Sequence, residues 1–375
     1  MPQEALYIGL MSGTSLDGID AALVRLSHED NSVSECQLVA SDFLPMPPAL
    51  KQFLHLLSSG QPLAISLLGQ IQVELAEQSA VLVNRLVNQA GLDARDITAI
   101  GCHGVTVGHY PDQPQPFSLQ LTDGSVLAAR TGIDVISDFR MADIAEAGQG
   151  APLVPPFHQA LLQPKLAKLV VLNLGGIANI SVMAEGKEVL GYDTGPANTL
   201  LNMWCERHKK LPYDKQGAWA ASGTLNKALL ALMLEEDYFN RSAPKSCGKE
   251  LFNLHWLQSK LDGLVPATVS PQDVQCTLAH LTAKSVAQQV SQYDNIDTLL
   301  VCGGGVNNAF LMALLQQYLP DHKIASTMAH GVCPDNMEAM AFAWLAWCRI
   351  HNVAGNLPSV TGARRPKVLG AWYKC

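Results

Sequence analysis

The chain opens on two short apolar runs separated by a polar, glycine-punctuated turn, Ile8-Gly-Leu-Met-Ser-Gly-Thr-Ser-Leu-Asp-Gly-Ile-Asp-Ala-Ala-Leu-Val24. This reads as strand, tight turn, strand, the form of a phosphate clamp. Gly13 and Gly18 let backbone approach a ligand that a Cβ would hold off, and Ser12, Thr14 and Ser15 add hydroxyl donors to the turn's amides. Asp17 and Asp20 repel an anion, so beside phosphate one of them reads as an outer-sphere partner of Mg²⁺. The segment matches neither G-x-x-x-x-G-K-[ST] nor G-x-G-x-x-G. On its residues alone, an ordinary hairpin with a Gly- and Ser-rich turn explains it equally well.

The pattern returns at Leu169-Val-Val-Leu-Asn-Leu-Gly-Gly-Ile-Ala-Asn-Ile-Ser-Val-Met183. Gly175, Gly176 and Asn179 would offer donors to a second side of a phosphate chain, or simply form a hairpin tip. A third glycine corner, Thr298-Leu-Leu-Val-Cys-Gly-Gly-Gly-Val-Asn-Asn-Ala-Phe-Leu-Met312, reads as a buried strand, a turn and a helix capped by Asn307 or Asn308. Ligands of open α/β sheets sit at such carboxyl ends of strands, although a tight strand-to-helix connection also fits. Strand-length runs (Leu6–Leu10, Ala21–Leu26, Gln37–Ser41, Ile97–Gly101, Asp134–Ser137) alternate with helical patterns such as Leu63–Ala90, which indicates an α/β fold.

A length of 375 residues implies about two domains. The two hairpins, each opening a candidate domain, suggest a duplicated fold. A formal net charge of −8 lacks the basic face that nucleic acid or an anionic membrane requires. No stretch sustains the roughly 18 apolar residues of a membrane helix, and the start lacks a signal-peptide pattern, so a cytoplasmic protein acting on small molecules is expected. The nine cysteines are scattered without metal-ligand spacing, and Cys302 reads as a small core hydrophobe.

Gly9-Leu-Met-Ser-Gly-Thr-Ser-Leu-Asp-Gly18 resembles the opening signature of the anhydro-N-acetylmuramic acid kinases. The resemblance continues in order through Ser137-Asp-Phe-Arg140, Gly148-Gln-Gly-Ala-Pro-Leu-Val-Pro155, Asn173-Leu-Gly-Gly-Ile-Ala-Asn179, Asp193-Thr-Gly-Pro-Ala-Asn198, Gly217-Ala-Trp-Ala-Ala-Ser-Gly223 and Val301-Cys-Gly-Gly-Gly305. It implies two actin/hexokinase-like (ribonuclease H-like) α/β domains with a nucleotide cleft between them. One would span 1–162 plus 336–375 and the other 163–335. The apolar helix around Asn336–Arg349 would return to the first domain, with Glu338 on it either touching nucleotide or merely capping.

The implied reaction consumes ATP, with Mg²⁺, and 1,6-anhydro-N-acetylmuramic acid. Water opens the anhydro bridge while O6 receives the phosphoryl group, giving N-acetylmuramic acid 6-phosphate for cell-wall recycling. By this resemblance ATP is bound by Ser12, Gly13, Thr14, Ser15, Leu16, Asp17, Gly18 and Ile19, by Gly175, Gly176 and Asn179, and by Gly303, Gly304, Gly305 and Asn307. Asp17 would meet Mg²⁺ through water. Asp193, after the run Val189–Tyr192 and at the mouth of a Gly-Pro turn, matches the family's catalytic Asp; an Asx-turn or helix-capping Asp is the structural alternative. For the sugar, Thr14, His103, Asp138, Arg140, Gln149 and Gly150 are expected, with Arg140 or Arg130 on the lactyl carboxylate. A plain sugar-hydroxyl kinase and a non-catalytic actin-like protein are the alternatives. A homodimer is left open.

Overall fold

The computed structural model describes residues 2–375 apart from 14, 15, 167, 185, 244, 265–268 and 295. The chain divides into two compact units, residues 1–165 with 331–375 and residues 166–330.

The first unit is built on β1 (Gln3–Ser12), β2 (Gly18–Glu29), β3 (Ser32–Pro45), β4 (Ile97–Tyr110), β5 (Phe117–Leu121), β6 (Val135–Ser137) and a last strand, Ala371–Tyr373. β1, β2 and β3 form an antiparallel meander; β4 and β6 then add in parallel on the other side of β1, and β5 pairs with the end of β4. One face packs under Ile65–Gln89 and its neighbours, where Ile8, Leu10, Leu23 and Ile100 meet Leu75, Leu82 and Leu86. The opposite face carries the helix Met337–Ile350, buried over most of its circumference. Two glycines permit that packing. A Cβ on Gly9 would stand 1.7 Å from the Ala339 carbonyl oxygen, and one on Gly101 would stand 2.0 Å from that of Phe342. Burial on both faces explains why β1 and β4 read as continuous apolar runs and not as alternating strands.

β4 does not stop where the apolar run Ile97–Gly101 ends. It continues to Tyr110 because Val105–Tyr110 finds a partner in Phe117–Leu121, with one register shift between Thr106 and Gly108. No short-range periodicity announces a strand whose second half depends on a later segment.

The second unit repeats the arrangement with β7 (Leu169–Leu174), β8 (Ile177–Met183), β9 (Leu190–Pro196), β10 (Thr298–Cys302) and β11 (Lys323–Ser326). Again three antiparallel strands are followed by two that add in parallel beside the first. These five strands therefore follow the same order as β6, β4, β1, β2 and β3 of the first unit, whose sheet adds β5 and the last strand. Its core joins Val170, Leu172, Leu299 and Val301 to Leu278, Leu281 and Val286 of the helix Pro271–Val290. Among the described residues, no helix is long and apolar enough to cross a membrane.

Candidate active site

In the second unit the paired strands set a row of polar residues across the sheet. Asn173 is opposite Asn179, and Asn179 is opposite Asp193. Directly opposed residues of antiparallel strands share a face, so Asn179 stands beside the acid and Asn173 lies one strand further along the same row. Asp193 lies inside β9 and not in the turn after it, since pairing with β8 continues to Pro196. It does not cap the helix Asn198–Lys209, whose preceding residue, Ala197, has no side-chain cap. Its Oδ2 accepts from the Ser246 hydroxyl and the Cys247 amide, both at 3.0 Å. Its own amide donates to the Lys245 carbonyl at 3.1 Å, and its carbonyl accepts from the Tyr238 hydroxyl at 2.8 Å. Burial lifts its pKa above the ordinary carboxylate value; the Cys247 and Ser246 hydrogen bonds oppose this, and the charge of Glu250 adds to it. A partly buried carboxylate of raised basicity is suited to accept a proton.

The Gly175-Gly176 tip is tied to the chain that follows it through its carbonyls. Its carbonyls accept from the amides of Ala197, Asn198 and Thr199 at 3.0–3.1 Å, which fastens the hairpin to the start of the following helix. Gly176 is required because a Cβ would lie 2.7 Å from the Thr199 hydroxyl.

The three glycines after β10 divide into two kinds. A Cβ on Gly303 would come within 2.3 Å of Asn173 Oδ1, and one on Gly305 within 2.5 Å of Leu174 Cβ, whereas Gly304 faces open space. Gly303 also has φ of +79°. Gly304 and Asn307 border a cavity of about 570 Å³ together with Asn198, Asn202, Tyr213, Asp214 and Gln216. That volume lies within the range of small-molecule sites. The Tyr213–Gln216 wall escaped the sequence reading, because nothing local distinguishes it from a polar loop. Asn308, not Asn307, caps the next helix, its side chain accepting from the Leu311 amide at 3.0 Å.

In the first unit, Thr14 and Ser15 lie outside the described residues. Around them, the Leu16 amide donates to Gly13 at 3.1 Å and the Ser12 hydroxyl to the Gly18 carbonyl at 2.8 Å. The side chains of Leu16 and Ile19 belong to the hydrophobic core, so these two can offer a ligand only backbone. Gly18 is explained by packing, since a Cβ there would sit 2.3 Å from the Leu44 carbonyl oxygen. Asp17 is exposed and pairs with Lys51 at 3.3 Å. Asp20 is more enclosed; burial first, then the charges of Asp17 and Asp335, push its pKa up to about 6. Glu338 is likewise raised, by burial and by Asp20, while Arg140 opposes the shift.

Arg140 is the centre of the other polar group. Its Nε and one terminal nitrogen approach His103 Nε2 at 3.1 and 2.8 Å, and the other terminal nitrogen donates to the Gly150 carbonyl at 2.6 Å. His103 Nδ1 lies 2.8 Å from the Gly104 carbonyl, which can only accept. The proton is therefore on Nδ1, and Nε2 is left to accept from Arg140. Burial, reinforced by that guanidinium, holds the His103 pKa well below its usual value, so the ring is neutral at pH 7. Burial lowers Arg140 to about 10, still charged at neutral pH. The Gly150 amide donates to Asp143 at 2.8 Å, a fully buried carboxylate that also accepts from Asn356 and Thr361. Gln149 reaches Asp112 at 3.0 Å. Asp138 is exposed beside this group, with φ of +58°. Arg130 does not join it: its guanidinium pairs with Glu77 at 2.8 Å on an exposed surface, more than half of its side chain open to water.

The family model described as anhydro-N-acetylmuramic acid kinase matches residues 5–375. A curated protein of that name from Pasteurella multocida (strain Pm70) is 48% identical over 369 residues, covering 98% of this chain and 96% of the relative. Another from Vibrio cholerae serotype O1 is 47% identical over 375 residues, covering 100% and 99%. Among solved structures, similarity extends at 11% identity to the activator of the 2-hydroxyisocaproyl-CoA dehydratase from Clostridium difficile (TM-score 0.46, 91% of this chain and 94% of that one). It extends at 13% identity to a ROK family glucokinase from Streptomyces griseus (TM-score 0.39, 91% and 99%). With a family match running almost from end to end and relatives near half identity over the same span, the chain belongs to the anhydro-N-acetylmuramic acid kinase family.

Proposed function

We propose that this protein transfers the γ-phosphoryl group of ATP to O6 of 1,6-anhydro-N-acetylmuramic acid while water opens the anhydro bridge, yielding N-acetylmuramic acid 6-phosphate and ADP. The observation that carries the mechanism is Asp193, a raised-pKa carboxylate whose hydrogen bonds from Ser246 and Cys247 both fall on Oδ2. Oδ1 receives none among the described residues, which suits it to take the proton of the attacking water. The water oxygen bonds to C1, the C1–O6 bond breaks, and its electron pair on O6 attacks the γ-phosphorus as ADP departs. Because the phosphoryl group caps the developing alkoxide, a single base suffices where a glycosidase would add a general acid.

For the second unit we assign the adenosine to the cavity at Gly304 and Asn307, with Asn179 beside the phosphates. For the first, the turn from Ser12 to Ile19 is assigned to phosphate. Arg140, oriented by His103 and Gly150, is assigned to the lactyl carboxylate, with Asp138 and Gln149 on sugar hydroxyls. A guanidinium held in place loses little freedom on binding a carboxylate. Mg²⁺ fits here as an ion held largely by nucleotide phosphates and water. Among the described residues no group of three or more His, Cys, Asp or Glu side chains gathers as metal ligands. The enclosed carboxylates of Asp20 and Glu338 suit such an ion better than Asp17, which is engaged by Lys51. When bound, the ion offsets charge on the phosphates.

Turnover in ¹⁸O-water with product mass spectrometry tests this reading. Label should appear on C1 of the sugar, with phosphate on unlabelled O6. Label in the phosphate would overturn it, and phosphorylation with the bridge intact would favour a simple hydroxyl kinase.

A further inference from the structure

Asp193 is fastened by a segment that no sequence motif singled out, Lys245-Ser-Cys-Gly-Lys-Glu250. Lys245 is almost fully buried, its ammonium 3.4 and 3.3 Å from the carbonyls of Tyr238 and Phe239 and above the Tyr238 ring. This lysine anchors the segment to the short helix Asp237–Asn240, whose Tyr238 hydroxyl in turn donates to the Asp193 carbonyl. Ser246, the next residue, is exposed, and its hydroxyl is directed at Asp193 Oδ2. With so little of Ser246 packed, the hydrogen bond is the main thing its side chain contributes.

Resting on the reading of Asp193 as the base, we propose that Ser246 is a positioning residue that orients the Asp193 carboxylate and sets its base strength, directing the water's proton to Oδ1. A donor on the charged form stabilises the carboxylate, so Ser246 and the Cys247 amide together counter the rise caused by burial. Both occupy the same oxygen, which also fixes the rotation of the carboxyl plane. The titratable and charged groups around Asp193 are Glu250, which raises its pKa, together with Tyr238, Cys247 and the Lys245 ammonium. Burial and neighbouring negative charge push the Cys247 thiol up to about 12 and Tyr238 higher still, so both stay protonated through the working range. Neither group therefore changes charge while Asp193 titrates.

The test is the pH profile of kcat for Ser246→Ala, Ser246→Thr and the wild type, with thermal melts as control. Loss of the hydroxyl should leave the melting temperature nearly unchanged, lower kcat roughly 3- to 30-fold and move the acid limb upward by about one pH unit, the scale of one hydrogen bond to a charged group. Thr, which keeps the hydroxyl, should restore the wild-type limb. An unmoved acid limb in Ser246→Ala would overturn the positioning role, and so would a loss that Thr fails to restore. Asp193→Asn distinguishes that failure from failure of the underlying reading. If Asn abolishes turnover while the Ser246 limb stays put, only the positioning role falls; if Asn turns over near normally, the base assignment falls with it.

Discussion

At the scale of single residues, the site depends on a few side chains whose surroundings alter their chemistry. Asp193→Asn keeps the shape and hydrogen-bonding capacity of the acid but cannot accept a proton. It should bind ATP and sugar normally and lose roughly 10²- to 10⁴-fold in kcat, measured by coupled ADP release alongside calorimetric titration. Gly304 offers a second separation. A Cβ there has open space around it beside the cavity, so Gly304→Val should fold as the wild type yet weaken ATP binding at least about tenfold by calorimetry. Unchanged affinity would remove Gly304 from the nucleotide site. Of the residues named from the sequence, His103, Arg140 and Gly150 share one polar network, the Gln149 side chain turns to Asp112, and Asn179 stands beside Asp193. Arg130 was indistinguishable from Arg140 by residue type; only the fold placed one on the surface against Glu77 and the other in the interior against His103.

At the scale of elements, the close contact between the helix Met337–Ile350 and the sheet beneath it is decided by two missing side chains. Gly9 lies within the opening motif and invites a ligand-binding explanation, but its neighbours are backbone atoms of that helix. Gly9→Val should therefore destabilise the fold by about 3 kcal/mol or more through overpacking, read as a fall in the chemical denaturation midpoint, with little change in ATP affinity of whatever remains folded. A stable variant with weak ATP binding would reverse that assignment. The alternation of apolar runs was enough to find most strands and the long helices. It missed the second half of β4 and the continuation of β9 through Asp193, because strand extension there is set by partners distant in the chain, not by local periodicity.

At the scale of the whole molecule, the second unit is one continuous stretch, whereas the first needs both ends of the chain. Residues 166–330 expressed alone should fold with a cooperative thermal transition, since their sheet and core are complete within that span. Deleting 331–375 from the full chain should expose the face of β1 and β4 that Met337–Ile350 covers, a loss comparable with the roughly 5–15 kcal/mol that holds a domain together. Circular dichroism and exposure of hydrophobic dye sites would check both; a well-folded truncation would refute the second. The sequence by itself determined the α/β class, the two glycine hairpins, the glycine corner and the family, because these depend on residue type at short spacing. Only the tertiary structure decided which glycines serve packing and which border a cavity, which arginine joins the buried histidine, and that Ser246 and Cys247 hold Asp193 across more than fifty residues of chain. These are properties of proximity in space, and a hydrogen bond or a steric clash between distant segments leaves no mark in the local order of residues.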